Sequence, residues 1–167
     1  MAVKRKLGEP HGGPHGEPRA RGPKSLTIRD FLALVDDGVR ERLGREYGTF
    51  QTRQRFGYVQ YWRGDHWLHY EVWVQRKTQR LEIGLHFEGD HERSYAAAAM
   101  LADRVPDVVA AVGPEYELEE WTPSWTRLHR GFAAPSLTPD LAAEAAEEAT
   151  RLIQGMEPLM VALGLRR

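Results

Sequence analysis

Cysteine is absent from all 167 residues, which excludes disulfides, thiolate catalysis and cysteine-based zinc sites. No apolar run approaches the roughly 20 residues that cross a bilayer, so no membrane partner is expected. Met1-Ala2-Val3-Lys4-Arg5-Lys6 is basic, but no apolar stretch follows it, so a secretory signal is not read there and the cytoplasm is the expected location. Catalytic signatures are missing too. The chain has no G-x-x-x-x-G-K-[ST], no G-x-G-x-x-G, no H-E-x-x-H and no G-x-S-x-G, so nucleotide-binding loops, zincin chemistry and a serine nucleophile elbow have no foothold. Lysine is scarce, with four against nineteen arginines.

What is present is an ordinary globular balance, 41% hydrophobic and 28% charged, in a chain long enough to bury a core without covalent or metal staples. The net charge of −1 conceals an asymmetry. Residues 1–24 hold six Lys/Arg against two Asp/Glu, and the remainder holds 17 against 22. This first segment is rich in Gly and Pro and nearly devoid of apolar residues, so it cannot offset its own ordering entropy. It is expected to be a disordered basic tail preceding one domain over 25–167.

The domain reads as α+β. Thr27 is a good N-cap with Asp30 three residues on. Ile28, Phe31, Leu32, Val35, Val39 and Leu43 then recur at helical spacing. Three strands follow at 56–62, 67–75 and 80–88. In the second, Leu68, Tyr70, Val72 and Val74 oppose Trp67, His69, Glu71, Trp73 and Gln75. In the third, Leu81, Ile83, Leu85 and Phe87 oppose Arg80, Glu82, Gly84, His86 and Glu88. Such period-two alternation predicts an antiparallel meander with one covered and one wet face. A helix over 92–104, interrupted by Pro106, leads to two further strands at 115–121 and 125–130. Thr138 and Pro139 then start a last helix running toward Leu163, which Pro158 should kink. The expected order is α-βββ-α-ββ-α: an antiparallel sheet of about five strands packed by three helices.

The run Arg80-Leu81-Glu82-Ile83-Gly84-Leu85-His86-Phe87, the helix after it, and Val109-Ala110-Ala111-Val112-Gly113-Pro114-Glu115-Tyr116-Glu117-Leu118-Glu119-Glu120-Trp121 are similar to a bacterial domain family of unknown function. In that family a strand, a helix, a Trp-bearing strand and a long C-terminal helix recur, often attached to restriction-type nucleases or other DNA-related proteins. The resemblance spans about residues 28–163 and implies a fold and DNA-related company. Its motifs are packing signatures, so no active residue transfers. The element order also resembles that of type III secretion chaperones, small acidic α/β dimers, which implies a homodimer or another protein as partner.

Three candidate surfaces emerge. His69, Glu71, Glu82 and His86 share the polar sheet face, a residue set suited to Zn²⁺ or Mn²⁺ and to acid–base work. Their spacing matches no established metal motif, since Glu82 and His86 stand roughly 13 Å apart by strand rise, so no metal or other cofactor is assigned. Trp62, Trp67 and Trp73 on that face, Trp121 and Trp125 about a turn, and Arg63, Arg76, Arg80, Arg127 and Arg130 beside them suit a protein interface or a single-stranded nucleic-acid platform. Lys4, Arg5, Lys6, Arg19, Arg21 and Lys24 in the tail could hold phosphates; His11 and His15 there make at most a weak metal trap. The expected function is a non-enzymatic binding or accessory module engaging protein, itself or another, through this face. The alternatives are a nucleic-acid-binding component of a defence or repair system, and a metal-dependent hydrolase.

Overall fold

The computed structural model describes residues 25–166. The expected tail, with its cations, lies outside these residues. The elements are α1 (Ile28–Leu43), a 3-10 turn (Gly44–Thr49), β1 (Gln51–Gln54), β2 (Tyr58–Trp62), β3 (Leu68–Gln75), β4 (Arg80–Phe87), α2 (His91–Ala102), α3 (Val105–Val112), β5 (Glu117–Glu120), β6 (Thr126–Ala133) and α4 (Pro139–Ala162). The fold is α+β, with an antiparallel six-stranded sheet in the order β1-β2-β3-β4-β6-β5.

The caps form as their residues dictate. The Thr27 hydroxyl oxygen accepts from the Asp30 amide at 3.1 Å and donates to the Asp30 carboxylate at 2.8 Å, satisfying a helix-end donor. Asp90 and Thr138 accept from the third residue of α2 and α4 in the same way. Pro106 opens α3 rather than interrupting a helix, because a first-turn proline has no amide that the helix needs. Pro158 lies inside α4, which continues to Ala162.

Strand β1, Gln-Thr-Arg-Gln, was not among the expected strands. It carries no apolar alternation, and only its pairing with β2 makes it a strand. Phe56 belongs to no strand and is 84% exposed. Both sheet edges, β1 and β5, are four-residue strands of mostly polar or acidic residues, a composition that discourages accidental strand pairing.

The face bearing Leu68, Tyr70, Val72, Leu81, Ile83, Leu85 and Phe87 packs against α1, α2 and α4 in one apolar core. At its end sits a buried ionic cluster. Glu157 of α4 accepts from the Tyr70 hydroxyl at 2.8 Å and pairs with Arg63 at 3.1 Å and Arg166 at 3.2 Å. Arg166 also donates to the carbonyls of Arg63 and Leu68, at 2.6 and 3.3 Å, tying the chain's last described turn to the β2–β3 connection. Burial, followed by the charge of Glu157, pushes the Tyr70 phenol well above its ordinary range.

Trp67 corrects an expectation. It precedes β3, tilts against Phe87 at 6.1 Å, and holds the Arg93 guanidinium 3.8 Å above its ring. It is therefore buried in the helical layer, not displayed beside His69. Arg63 and Arg130 likewise serve that layer, paired with Glu157 and Glu148 of α4.

Candidate functional site

The opposite sheet face carries no helix among the described residues. Register aligns its side chains in rows. His69 opposes His86, which opposes Arg127, which opposes Glu119; Gln60, Glu71, Gly84, His129 and Glu117 form the next row; Tyr58, Trp73, Glu82 and Gly131 form a third. The parity read from the sequence holds, but the face is not wet. His69 is 0% exposed and His86 1%, and Gln60, Glu71, Glu82 and Arg127 are also buried. The reason is mutual cover. The β2–β3 connection lays His66 over His69, and the Trp121 indole folds down from the end of β5 onto His86.

The result is an aromatic file across the sheet. Trp62 meets His66 edge-on at 4.7 Å, His66 stacks on His69 at 4.5 Å, His69 on His86 at 5.3 Å, and His86 meets Trp121 at 5.1 Å. Trp73 and Trp125 flank Trp121 at 6.1 and 5.9 Å. Arg53 lies over Trp62 and Arg127 over Trp121, at 5.4 and 5.2 Å, within cation–π reach.

Beneath the rings runs a polar network. The Gln60 amide donates to Glu71 at 2.6 Å and faces His69 Nε2 at 3.0 Å, while its oxygen accepts from Arg53 at 3.0 Å. Arg127 bridges Glu82 at 2.5 Å and Glu119 at 2.6 Å; Gln75 also donates to Glu82, at 2.9 Å. The separation expected between Glu82 and His86 is overturned. Their side chains approach to 3.8 Å because the residue between them on this face is Gly84, and both lean over the space it leaves. A Cβ at Gly84 would sit 3.0 Å from the His129 Cβ and 3.2 Å from His86 Nε2, so the central glycine is a condition of the cluster.

These neighbours shift ionisation. Burial opposes the charge on Glu71, but the nearby His69 and His86 rings and the Gln60 hydrogen bond outweigh it and hold its pKa below the ordinary value. The Arg127 hydrogen bond holds Glu119 down. Burial and then Arg127 hold His129 below its usual value against the opposing pull of Glu82, Glu119 and Glu117. His129 Nε2 lies 2.9 Å from Glu119, yet neither ring nitrogen makes a well-aligned hydrogen bond.

A pH dependence follows. The unfolded chain protonates His129 near pH 6.5 and the folded protein resists, so stability falls as pH drops below about 6.5. His66, lowered first by burial and then by His69, acts in the same window. Stability linked to Glu119 is lost only lower, as pH falls below the ordinary carboxylate range. Melting temperatures measured from pH 7.5 to 5 should decline, and His129→Gln should flatten part of that decline. Curves for variant and wild type that stay parallel would refute the assignment.

Of the residues singled out from sequence, Trp62, His69, Glu71, Trp73, Glu82, His86 and Arg127 come together here. Arg80 shares the face but sits at its far end, exposed, with its guanidinium over Gly131. Sequence reading did not select Gln60, His66, Glu88, Glu119 or His129. Glu88 continues the parity of Glu82 and His86, and His129 that of Arg127, so both were within reach; His66 lies in a turn where no period applies.

No family model matches the chain, the nuclease-linked domain included, and no curated protein matches it. Among solved structures, the crystal structure of the ExsC-ExsE complex aligns over 79% of this chain and 95% of that one, with 12% identity and a TM-score of 0.33. So low a score leaves fold and function to be read from the chain itself.

Proposed function

We propose that this chain is a protein-binding module whose docking surface is the helix-free sheet face. The observation that carries this reading is the convergence of Trp62, Trp73, Trp121 and Trp125, all half-buried, around a network already hydrogen-bonded beneath them. Tryptophan and arginine at the centre of a prearranged surface are the residues on which interface energy concentrates, and a surface fixed beforehand lowers the ordering cost of binding. The short polar edges direct attention to the face rather than to strand addition.

Charge indicates the partner. Glu88 lies beside His69 and His86, Glu117 faces His129, and Glu119 pairs with the Arg127 that lies over Trp121; Arg127 is also engaged by Glu82. A segment presenting Lys or Arg suits that setting. A second copy of the acidic body would appose like charges, and a phosphate backbone would meet these carboxylates, with Arg53 and Arg80 the guanidinium groups on the face that have no carboxylate partner among the described residues. The nucleic-acid alternative then rests on the tail cations Lys4, Arg5, Lys6, Arg19, Arg21 and Lys24.

A photo-crosslinking residue placed at Trp62 or Trp73 should trap a common partner in cells. The same residue at Leu34, exposed on α1, should not. Trp62→Ala with Trp73→Ala should weaken binding of that partner at least tenfold with the circular dichroism spectrum unchanged. Equal trapping from all three positions, or affinity unmoved by the double substitution, would overturn the reading. Micromolar binding of DNA or RNA lost on deleting residues 1–24 would favour the alternative.

A further inference from the structure

We infer that His69, His86 and Glu88 form a binding site for one divalent transition-metal ion, of the Zn²⁺, Co²⁺ or Ni²⁺ class. Donor atoms of the three lie within 4.8 Å of one another. Glu88 Oε1 is 3.3 Å from His86 Nδ1 and 3.8 Å from His69 Nε2. Ligands bound at about 2.0–2.1 Å around a tetrahedral ion stand roughly 3.3 Å apart, so closure requires only side-chain shifts of an ångström or less. The register makes the set: His69 and His86 are direct cross-strand partners, and Glu88 follows His86 by two residues on the same face.

His69 is already prepared as a donor. His69 Nδ1 lies 2.9 Å from the His66 carbonyl, an acceptor only, so Nδ1 carries the proton and the Nε2 lone pair faces the site. The amide of Gln60 points at that same lone pair. Its orientation is fixed because its oxygen accepts from Arg53, which can only donate. Gln60 therefore holds the metal-binding tautomer in the free protein and gives up one of its two amide contacts, retaining Glu71, when an ion enters. His86 Nδ1 faces the Glu88 carboxylate at 3.3 Å, so a proton there must leave or move to Nε2, which faces Glu82 3.8 Å away, when an ion enters and Glu82 becomes the outer carboxylate. Trp121 shields His86 from one side. Two imidazoles and one carboxylate without a thiolate suit borderline ions over Cu⁺, and leave a coordination position for water or a ligand from a bound partner.

The test uses the full-length chain carrying His11→Gln and His15→Gln, which removes the tail histidines as competing donors. After chelator treatment, Zn²⁺ titrated calorimetrically should bind one per chain. Co²⁺ should give a visible ligand-field band and broaden the ring-proton resonances of His69 and His86 but not those of His91 on α2. Glu88→Gln, at the half-open end of the site, should weaken Zn²⁺ at least tenfold, whereas His91→Gln should leave it unchanged. No stoichiometric Zn²⁺ binding, or Co²⁺ broadening His91 as much as His69 and His86, would overturn the assignment. The spectroscopic arm uses the ligand triad intact, so it decides the matter even if Glu88→Gln fails to fold. Because the readouts need no partner, failure of the docking reading would leave this result standing, and the reverse also holds.

Discussion

Glu157→Ala is expected to destabilise the protein by about 3–5 kcal/mol, the usual cost of removing one member of a buried ionic cluster. The carboxylate is the shared acceptor for the Tyr70 hydroxyl and for the guanidinium groups of Arg63 and Arg166. Without it, the Tyr70 hydroxyl is left buried with no partner, and Arg166, 7% exposed, keeps only the carbonyls of Arg63 and Leu68. For a chain of this size the loss corresponds to a melting temperature lower by roughly 10 °C. Glu157→Gln should cost less, since an amide oxygen still accepts from Tyr70 although the charge is gone. Urea unfolding of the three proteins checks the order. A Glu157→Ala midpoint within error of wild type would show that the cluster rearranges freely and contributes nothing net.

Arg127→Ala should cost about 3 kcal/mol and should also disturb the proposed docking face. Arg127 is the cation between Glu82, 5% exposed, and Glu119, and its guanidinium supports the Trp121 indole. Removing it leaves the Glu82 charge in a low-dielectric setting with Gln75 as its remaining close donor at 2.9 Å. The companion Glu82→Gln should recover much of the loss when combined with Arg127→Ala, because the uncompensated charge is what destabilises. A double-mutant cycle by urea unfolding measures the coupling. Additive single costs would mean that Glu82 and Arg127 do not interact as their 2.5 Å separation implies. Trp121 emission, red-shifted in Arg127→Ala, would report the ring's release from its seat over His86.

The elements that were legible in the sequence share one property: their signal is periodic and local. The α1 stripe from Ile28 to Leu43, the Thr27 and Thr138 caps, and the alternation in β3 and β4 are consequences of backbone geometry acting over a few residues. Where the period failed, so did the reading. Strand β1 has no apolar face, Pro106 was read as a break when it is a start, and Trp67, one residue before β3, turns into the helical layer because strand parity does not extend beyond the strand.

The candidate site shows the same division. That His69, Glu71, Glu82 and His86 share a face followed from parity. That they are buried did not, because the cover comes from His66 and Trp121, which approach from distant connections. That Glu82 and His86 meet could not be read from strand rise, because the approach depends on side chains leaning over Gly84.

The sequence alone determined the class of fold, the sign of each sheet face and the absence of thiol chemistry, since these depend on composition and on periods of two and 3.6 residues. The tertiary structure alone decided which imidazole opposes which, that the His66 carbonyl and the Gln60 amide meet the two ring nitrogens of His69, and that the polar face is a closed, paired network rather than a solvated one. Those properties arise from strand register and from loops folding back over the sheet, and neither is encoded in the spacing of any single segment.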